Sequence, residues 1–299
     1  MNCSDKELKI YQERRRYFIY ETQIFYDNPS GIFDFIFSQR FGLYESRYDM
    51  PVLLEEFIYV SLDIFAVLFF VYLYNKYVLK EQWSDIYVCR PAPSVKWTII
   101  ALLLSTGVLC CCIFLTKGTF AKGDFSRESV IGAVSNTILS GGPRAGITEE
   151  VIFRGLIFSS LKKAWGSKRA VIGSAFLFAL MHLVNIDTSN LYNVISLLIA
   201  ITIVGIAFAL IVLETGSIWS GVVFHGVYNI ISGDLDILHV SVNQGFPAFW
   251  TYTPVREYRW ITGIIGSDDI ETGLPAMIGF IIVIIIALKS IEKKKMLNE

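Results

Sequence analysis

Four long apolar stretches constrain this chain more than any other feature of its sequence. They are residues 53–75, 97–116, 191–213 and 275–289. A helix needs about 20 mostly apolar residues to cross the hydrocarbon core of a bilayer. The whole chain is 54% hydrophobic and only 18% charged, which lies outside the usual range of a soluble domain. The sequence therefore predicts an integral membrane protein with several membrane-spanning segments.

Four further apolar windows are shorter or more polar, at residues 128–140, 146–161, 170–185 and 217–232. Each would span a bilayer poorly alone, but it can cross inside a bundle where neighbouring helices cover its polar atoms. No alternation typical of a β-barrel is present. We predict an all-α, polytopic transmembrane helical bundle of seven or eight helices.

The chain divides into five segments by composition. The N-terminal segment is charged where a signal peptide would need an apolar core. It is also rich in aromatic residues, which favours an amphipathic segment at the membrane interface, with a small cytoplasmic cap as the alternative. We assign residues 1–50 to an interfacial segment, residues 51–127 to the first transmembrane helices and residues 128–232 to a core. An extracytoplasmic loop follows at residues 233–274, and residues 275–299 form a last helix with a basic cytoplasmic tail.

The orientation follows from lysine and arginine, which are in excess in cytoplasmic loops. Segment 162–169 has four basic residues and no acid, and the C-terminal tail has three lysines, so both are predicted to be cytoplasmic. Segment 233–274 has two arginines against six acids, which indicates the opposite side. With eight helices the N-terminus is also inside, but the loop 76–96 and its four basic residues then lie outside, against the rule.

Ionisable side chains inside a membrane span are costly unless they pair or line a wet cavity. In TEEVIFRG, Glu150 and Arg154 are four residues apart, so on a helix they can neutralise each other. Glu149 points about 100° away from Glu150. A carboxylate left in such a site is suited to act as a general base. The alternative is a structural charge cluster at a helix start.

Two histidines follow on separate helices. His182 comes one turn after Phe178, and packing is an ordinary reason for a lone histidine there. His225 and Asn229 are four residues apart and share one helix face. They can donate hydrogen bonds to one developing oxyanion, or His225 can join His182 as a metal ligand.

Taken together, these motifs resemble the CAAX protease and bacteriocin-processing (CPBP, Abi) family of intramembrane endopeptidases. That family carries E-E-x-x-x-R, then F-x-x-x-H, then H-x-x-x-N, each on its own transmembrane helix. The three motifs stand here at residues 149–154, 178–182 and 225–229. The resemblance covers about residues 128–232.

The resemblance implies a protease whose site lies among transmembrane helices. Glu149 and His182 would activate a water, and His225 and Asn229 would stabilise the oxyanion. Glu150, Arg154 and Phe178 would support the site. We expect no obligatory cofactor, because no H-E-x-x-H helix is present; if a metal is used, the candidate zinc ligands are Glu149, His182 and His225.

The resemblance also implies partners and a location. The chain would act on a peptide or membrane protein within membrane lipid, in a multi-pass protein of the bacterial cell membrane. Family members are linked to prenylated CAAX proteins, bacteriocin systems and membrane sensor kinases. The sequence has no basic patch of the kind that binds nucleic acid, so we expect no nucleic-acid partner. Two other functions stay open: a non-catalytic membrane partner in bacteriocin immunity or sensor-kinase regulation, and a transporter with a proton-carrying Glu149.

Overall fold

The computed structural model describes the chain from residue 52 to residue 298 with several gaps. The segment 1–50, predicted to be interfacial, lies outside the described residues, as does much of the predicted loop 233–274. The described residues are 52–89, 91–122, 127–186, 188–232, 238–240, 250–255, 259–263 and 270–298.

The described residues form a helical bundle with one small sheet. Short 3-10 turns lie at Trp83–Ile86, His182–Asn185 and Ile270–Thr272. π-Helical turns lie at Asn75–Leu79, Thr137–Arg144 and Val151–Ile157. The α-helices are α1 Val52–Tyr74, α2 Val95–Leu115, α3 Arg127–Asn136, α4 Ala145–Glu150, α5 Phe158–Met181, α6 Leu191–Thr215, α7 Trp219–Ser232, α8 Arg259–Thr262 and α9 Leu274–Asn298.

Within the described residues, five helical runs are long and apolar enough to cross a membrane. The predicted transmembrane helical bundle is therefore confirmed. One of the five runs, Val130–Val184, is divided by Gly166, whose backbone is not helical (φ 77°, ψ 167°). The shorter helix α7 joins them, so the described chain has seven main helical segments.

Windows 128–140 and 146–161, which the sequence presents as two apolar windows, belong to one helical run in the structure. Pro143 lies between them, and proline lacks the N–H that an α-helix needs. In the structure Pro143 lies inside the π-helical turn Thr137–Arg144, and α3, this turn and α4 follow one another without a break. The wider turn accommodates the proline, so the two windows form one segment rather than two.

Helix α6 shows how the sequence sets its own boundaries. The Asn190 side chain accepts a hydrogen bond from the Tyr192 N–H at 3.0 Å, as N-cap asparagines do. At the other end Gly216 adopts a left-handed conformation (φ 72°) and its N–H bonds to the Val212 carbonyl. Glycine adopts this conformation without the strain a Cβ would add, so α6 ends where the sequence ETGS predicts a turn.

One end of the bundle collects the basic segments. Glu214, in the last turn of α6, accepts hydrogen bonds from Lys96 of α2, Lys294 of α9 and the Trp97 indole at 2.7 Å. The Lys163 ammonium lies 2.5 Å from the Glu81 carboxylate. The loop 76–96 therefore lies at the same end as 162–169 and the C-terminal tail. This corrects the count of eight helices, which placed the loop on the opposite side. With two windows merged into one helix, the basic loops all fall on one side.

The opposite end carries a three-stranded sheet in the order β1–β3–β2, with strands Thr119–Lys122, Trp250–Thr253 and Leu238–Val240. β1 pairs antiparallel with β3, and β2 pairs parallel with it. The buried Tyr252 hydroxyl lies 2.7 Å from the Thr116 hydroxyl and accepts the Gly118 N–H. The sheet is thereby fixed to the end of α2.

Small residues allow the helix that carries the EE motif to cross α7 closely. A Cβ placed on Gly146 would lie 2.8 Å from the Val222 carbonyl oxygen, and one placed on Gly226 would lie 3.1 Å from the Gly142 oxygen. Gly142 and Gly146 have three residues between them, and this pattern of small residues is common where helices approach closely in membranes. This crossing brings the backbone of α4 to within side-chain reach of α7.

Candidate active site

The glutamate pair of TEEVIFRG occupies the end of α4, between two π-helical turns. Thr137–Arg144 precedes this helix and Val151–Ile157 follows it. π-Helical turns are rare and occur frequently at functional sites. The widened backbone on both sides sets the directions of Glu149, Glu150 and Arg154, which a straight α-helix would not reproduce.

Glu150 and Arg154 form a fully buried ion pair. The Arg154 Nη1 lies 2.9 Å from the Glu150 Oε1, and the two side chains are 1% and 0% exposed. The guanidinium also donates to the Gly205 carbonyl at 3.4 Å. The Phe178 and Phe208 rings lie 4.3 and 5.1 Å from its central carbon. Each charge therefore has a partner in a site that excludes water.

His225 lies between the two glutamates. Its Nδ1 is 3.3 Å from the Glu150 Oε1, and its Nε2 is 3.9 Å from the Glu149 Oε2. Because the ionised Glu150 carboxylate can only accept, Nδ1 carries the proton in this bond. The Nε2 atom then faces Glu149. The Phe208 ring stacks on the imidazole at 5.1 Å and holds its plane.

Glu149 is the less committed carboxylate of the pair. Its side chain is 24% exposed, whereas Glu150 is completely buried. The Oε2 atoms of both glutamates are buried and have no hydrogen-bond partner among the described residues, so the two carboxylates differ in their exposure and in the ion pair that Glu150 forms with Arg154. The sequence argument that Arg154 pairs with Glu150 rather than with Glu149 agrees with these contacts. Glu149 is thus free to bind a further group.

His182 stands beside the cluster and is oriented by its own helix. Its Nδ1 lies 2.9 Å from the Phe178 carbonyl oxygen. A carbonyl only accepts, so Nδ1 donates and Nε2 keeps the lone pair of the neutral ring. The Phe178 ring lies 4.5 Å from the His182 ring and 6.1 Å from the His225 ring. The Phe178 ring is therefore a neighbour of both imidazoles.

Asn229 lies one turn beyond His225 on α7 and is half-buried. Its amide donates to the Gly141 carbonyl at 2.9 Å. The other amide hydrogen and the amide oxygen form no further hydrogen bond within the described part of the chain. The bond to Gly141 connects α7 to the π-helical turn before α4, and it fixes the direction of the amide.

The three candidate zinc ligands do not converge. Glu149 and His225 face each other at 3.9 Å, whereas the Nδ1 atom of His182 is used by the Phe178 carbonyl. Across the described residues, no group of three or more His, Cys, Asp or Glu side chains is arranged to hold a metal ion. The arrangement therefore does not fit a three-ligand zinc site, and we derive no step through a metal.

Two features of the site have no signal in the sequence. Phe208 contacts both His225 and Arg154, but it is one apolar residue among many in a mostly apolar helix. Gly221 leaves room for Glu150, because a Cβ at this position would lie 3.0 Å from the Glu150 Oε2. Only the packing of α4, α6 and α7 reveals either role.

Comparison with known families gives one match. Residues 134–231, about a third of the chain, match the family described as "Type II CAAX prenyl endopeptidase Rce1-like". The matched range contains all seven residues discussed above as catalytic or supporting. No curated protein and no solved structure matches the chain.

Proposed function

Because residues 134–231 match the type II CAAX prenyl endopeptidase family, we propose that this chain is an intramembrane endopeptidase. In this proposal Glu149 and His182 activate a water. At the level of the family, the protein is a CAAX-type intramembrane protease. The substrate would be a peptide bond of a membrane-associated protein or peptide. The observation that carries the proposal is the different environment of the two adjacent glutamates.

The proposed base is the Glu149 carboxylate. Glu150 is neutralised by Arg154 at 2.9 Å, so it holds the helices together and cannot readily take a proton. Glu149 has a buried oxygen without a hydrogen-bond partner among the described residues. His182 presents the unprotonated Nε2, because its Nδ1 donates to the Phe178 carbonyl. Two acceptors would thus be available to orient a water and remove its proton.

Hydrolysis of a peptide bond by water needs no reactant beyond these groups and the substrate. The water loses a proton to Glu149 or His182, and its oxygen attacks the peptide carbonyl carbon. His225 and Asn229 would donate hydrogen bonds to the resulting oxyanion. The proton then passes to the leaving nitrogen as the C–N bond breaks. A positioned general base typically contributes about 10²–10⁴-fold in rate, and one oxyanion donor about 10²–10³-fold.

The charges of the site are compatible with His225 as an oxyanion donor. Donation from Nε2 requires a proton on that atom in addition to the one on Nδ1. With His225 protonated, two carboxylates, one guanidinium and one imidazolium carry no net charge together. The Glu149 Oε2 at 3.9 Å would stabilise that proton until a substrate carbonyl is bound.

The test is the appearance of new protein N-termini in membranes. Cells would express wild type, Glu149→Gln, His182→Ala or Glu292→Gln at matched membrane levels, and new N-termini would be labelled and identified by mass spectrometry. We expect a set of N-termini that depends on wild type and is lost in Glu149→Gln and His182→Ala. Glu292, exposed near the end of α9, is the matched carboxylate control and should leave the set intact.

Two results would contradict the proposal. One is retention of the full set of N-termini in Glu149→Gln. The other is a wild type whose membranes match those of cells lacking the protein, and in that case the fold serves as a non-catalytic membrane partner.

A further inference from the structure

We propose that the site opens toward the end of the bundle opposite the basic loops, on the extracytoplasmic side, and that its substrate is a peptide segment at that surface. That this peptide is cleaved rests on the proposed function. The direction of the opening rests on packing and charge, and it can be measured without any cleavage.

The basic end of the bundle is closed beneath the site by apolar side chains. Ile86, in the loop between α1 and α2, is fully buried. It belongs to one core cluster with Phe153 and Phe158, from the segment that follows Glu150, and with Ile218 at the start of α7. The Tyr87 ring lies 5.9 Å from the Phe158 ring. The loop also packs on the segment that holds Arg154, because a Cβ placed on Gly155 would lie 3.5 Å from the Ile86 carbonyl oxygen.

Hydrogen bonds fasten that loop to the helix ends around it. The Ile218 N–H donates to the Tyr87 carbonyl at 3.1 Å, and the Trp219 indole donates to the Cys89 carbonyl at 2.6 Å. Lys162 bonds to the Tyr87 hydroxyl at 2.5 Å. The closure therefore has backbone and side-chain connections to α5 and α7.

Exposure within the site increases away from this closed end. Arg154 and Glu150 are 1% and 0% exposed, whereas the Glu149 side chain is 24% exposed and His182 and Asn229 are half-buried. Asn229 lies ten residues along α7 from Trp219, about 15 Å in a helix. His182 lies sixteen residues beyond Gly166, about 24 Å. The accessible members of the site thus lie far from the basic end.

Charge identifies the closed end as cytoplasmic. Among the described residues, the end with the sheet carries Lys117, Lys122, Arg127 and Arg259. The closed end carries more, namely Lys76, Lys80, Lys96, Lys162, Lys163, Lys168, Arg169, Lys289, Lys293, Lys294 and Lys295. Short loops rich in lysine and arginine remain in the cytoplasm.

The substrate class follows from the direction of the opening. A cytoplasmic protein with a lipidated C-terminus would approach from the closed end and would meet the layer around Ile86. A secreted peptide or the extracytoplasmic flank of a membrane protein would approach His182 and Asn229 first. We therefore assign the substrate to the extracytoplasmic surface.

Cysteine labelling tests the opening directly. Single substitutions Glu149→Cys and Asn229→Cys would be made in a variant lacking the five native cysteines, and a charged, membrane-impermeant methanethiosulfonate would be added to spheroplasts or to inverted vesicles. Thr188→Cys, in the connection after His182, and Trp165→Cys, in the basic segment 162–169, report the two surfaces.

We expect Glu149→Cys, Asn229→Cys and Thr188→Cys to react at least ten-fold faster in spheroplasts, and Trp165→Cys to react faster in inverted vesicles. Labelling of both site variants only in inverted vesicles would overturn the proposal, as would a lack of labelling from either side. A reversal of Thr188→Cys and Trp165→Cys would overturn the assigned orientation.

The labelling experiment tests the direction of the opening, and the cleavage experiment tests the protease activity, so one can be rejected without the other. The expected labelling without wild-type-dependent N-termini would keep the opening and reject the protease. Wild-type-dependent N-termini with labelling only from the cytoplasmic side would keep the protease and reject the substrate class.

Discussion

At the scale of single residues, the two adjacent glutamates lie in different environments because their partners differ. Glu150 is completely buried and bonded to Arg154 and His225. Glu149 is partly exposed and keeps one oxygen without a hydrogen bond among the described residues. Helical geometry predicted this division, since residues one apart point about 100° apart. The contact of His225 with both carboxylates could not be predicted, because it depends on how α4 and α7 pack.

A first prediction concerns the buried ion pair. Arg154→Met leaves the Glu150 carboxylate in an apolar site without its cation, and breaking a buried pair in this way costs about 3–5 kcal/mol. We expect a clear fall in the melting temperature of the purified protein in detergent, followed by intrinsic fluorescence. The double variant Glu150→Gln with Arg154→Met removes both charges and should recover part of the loss. Equal destabilisation by the single and double variants would refute this account.

At the scale of elements, the site depends on how closely two helices approach. Gly142 and Gly146 lie against α7, and the π-helical turns redirect the chain on both sides of α4. The sequence contains both glycines and Pro143, but it presents 128–140 and 146–161 as two windows. They are joined because Pro143 lies inside a π-helical turn, which a local pattern does not show.

A second prediction tests this helix contact. Gly146→Ala places a Cβ 2.8 Å from the Val222 carbonyl oxygen, so α4 and α7 must separate. Overpacking of this kind typically costs about 1–3 kcal/mol, and we expect lower thermal stability together with loss of wild-type-dependent N-termini. Gly107→Ala is the control, because a Cβ there meets no atom within 4 Å and alanine favours the helix by about 1 kcal/mol. A Gly146→Ala variant as stable and active as Gly107→Ala would show that the close contact is not required.

At the scale of the whole molecule, Glu214 joins parts of the chain that are distant in sequence. It is 7% exposed and binds Lys96 and Lys294, and it accepts the Trp97 indole hydrogen at 2.7 Å. Trp97 itself is fully buried. No local pattern in the sequence relates Glu214 to α2 or α9.

A third prediction follows for Glu214. Glu214→Ala leaves the buried Trp97 N–H without an acceptor, which costs about 1–3 kcal/mol, whereas Glu214→Gln retains an acceptor and should cost less. Thermal unfolding in detergent would measure both variants against Glu292→Ala, whose side chain is exposed. If Glu214→Ala is no less stable than Glu292→Ala, the connection among α2, α6 and α9 contributes nothing measurable.

The sequence by itself determined that this protein is a membrane-spanning helical bundle, and it identified the three motifs of the candidate site. Apolar length and the four-residue spacings are local properties, so they can be read without a fold. Only the tertiary structure decided that windows 128–140 and 146–161 form one helical segment. That merging places the loop 76–96 with the other basic segments. The packing of α7 on α4 places His225 between the two glutamates. Both results depend on contacts between residues far apart in the chain, which no local pattern records.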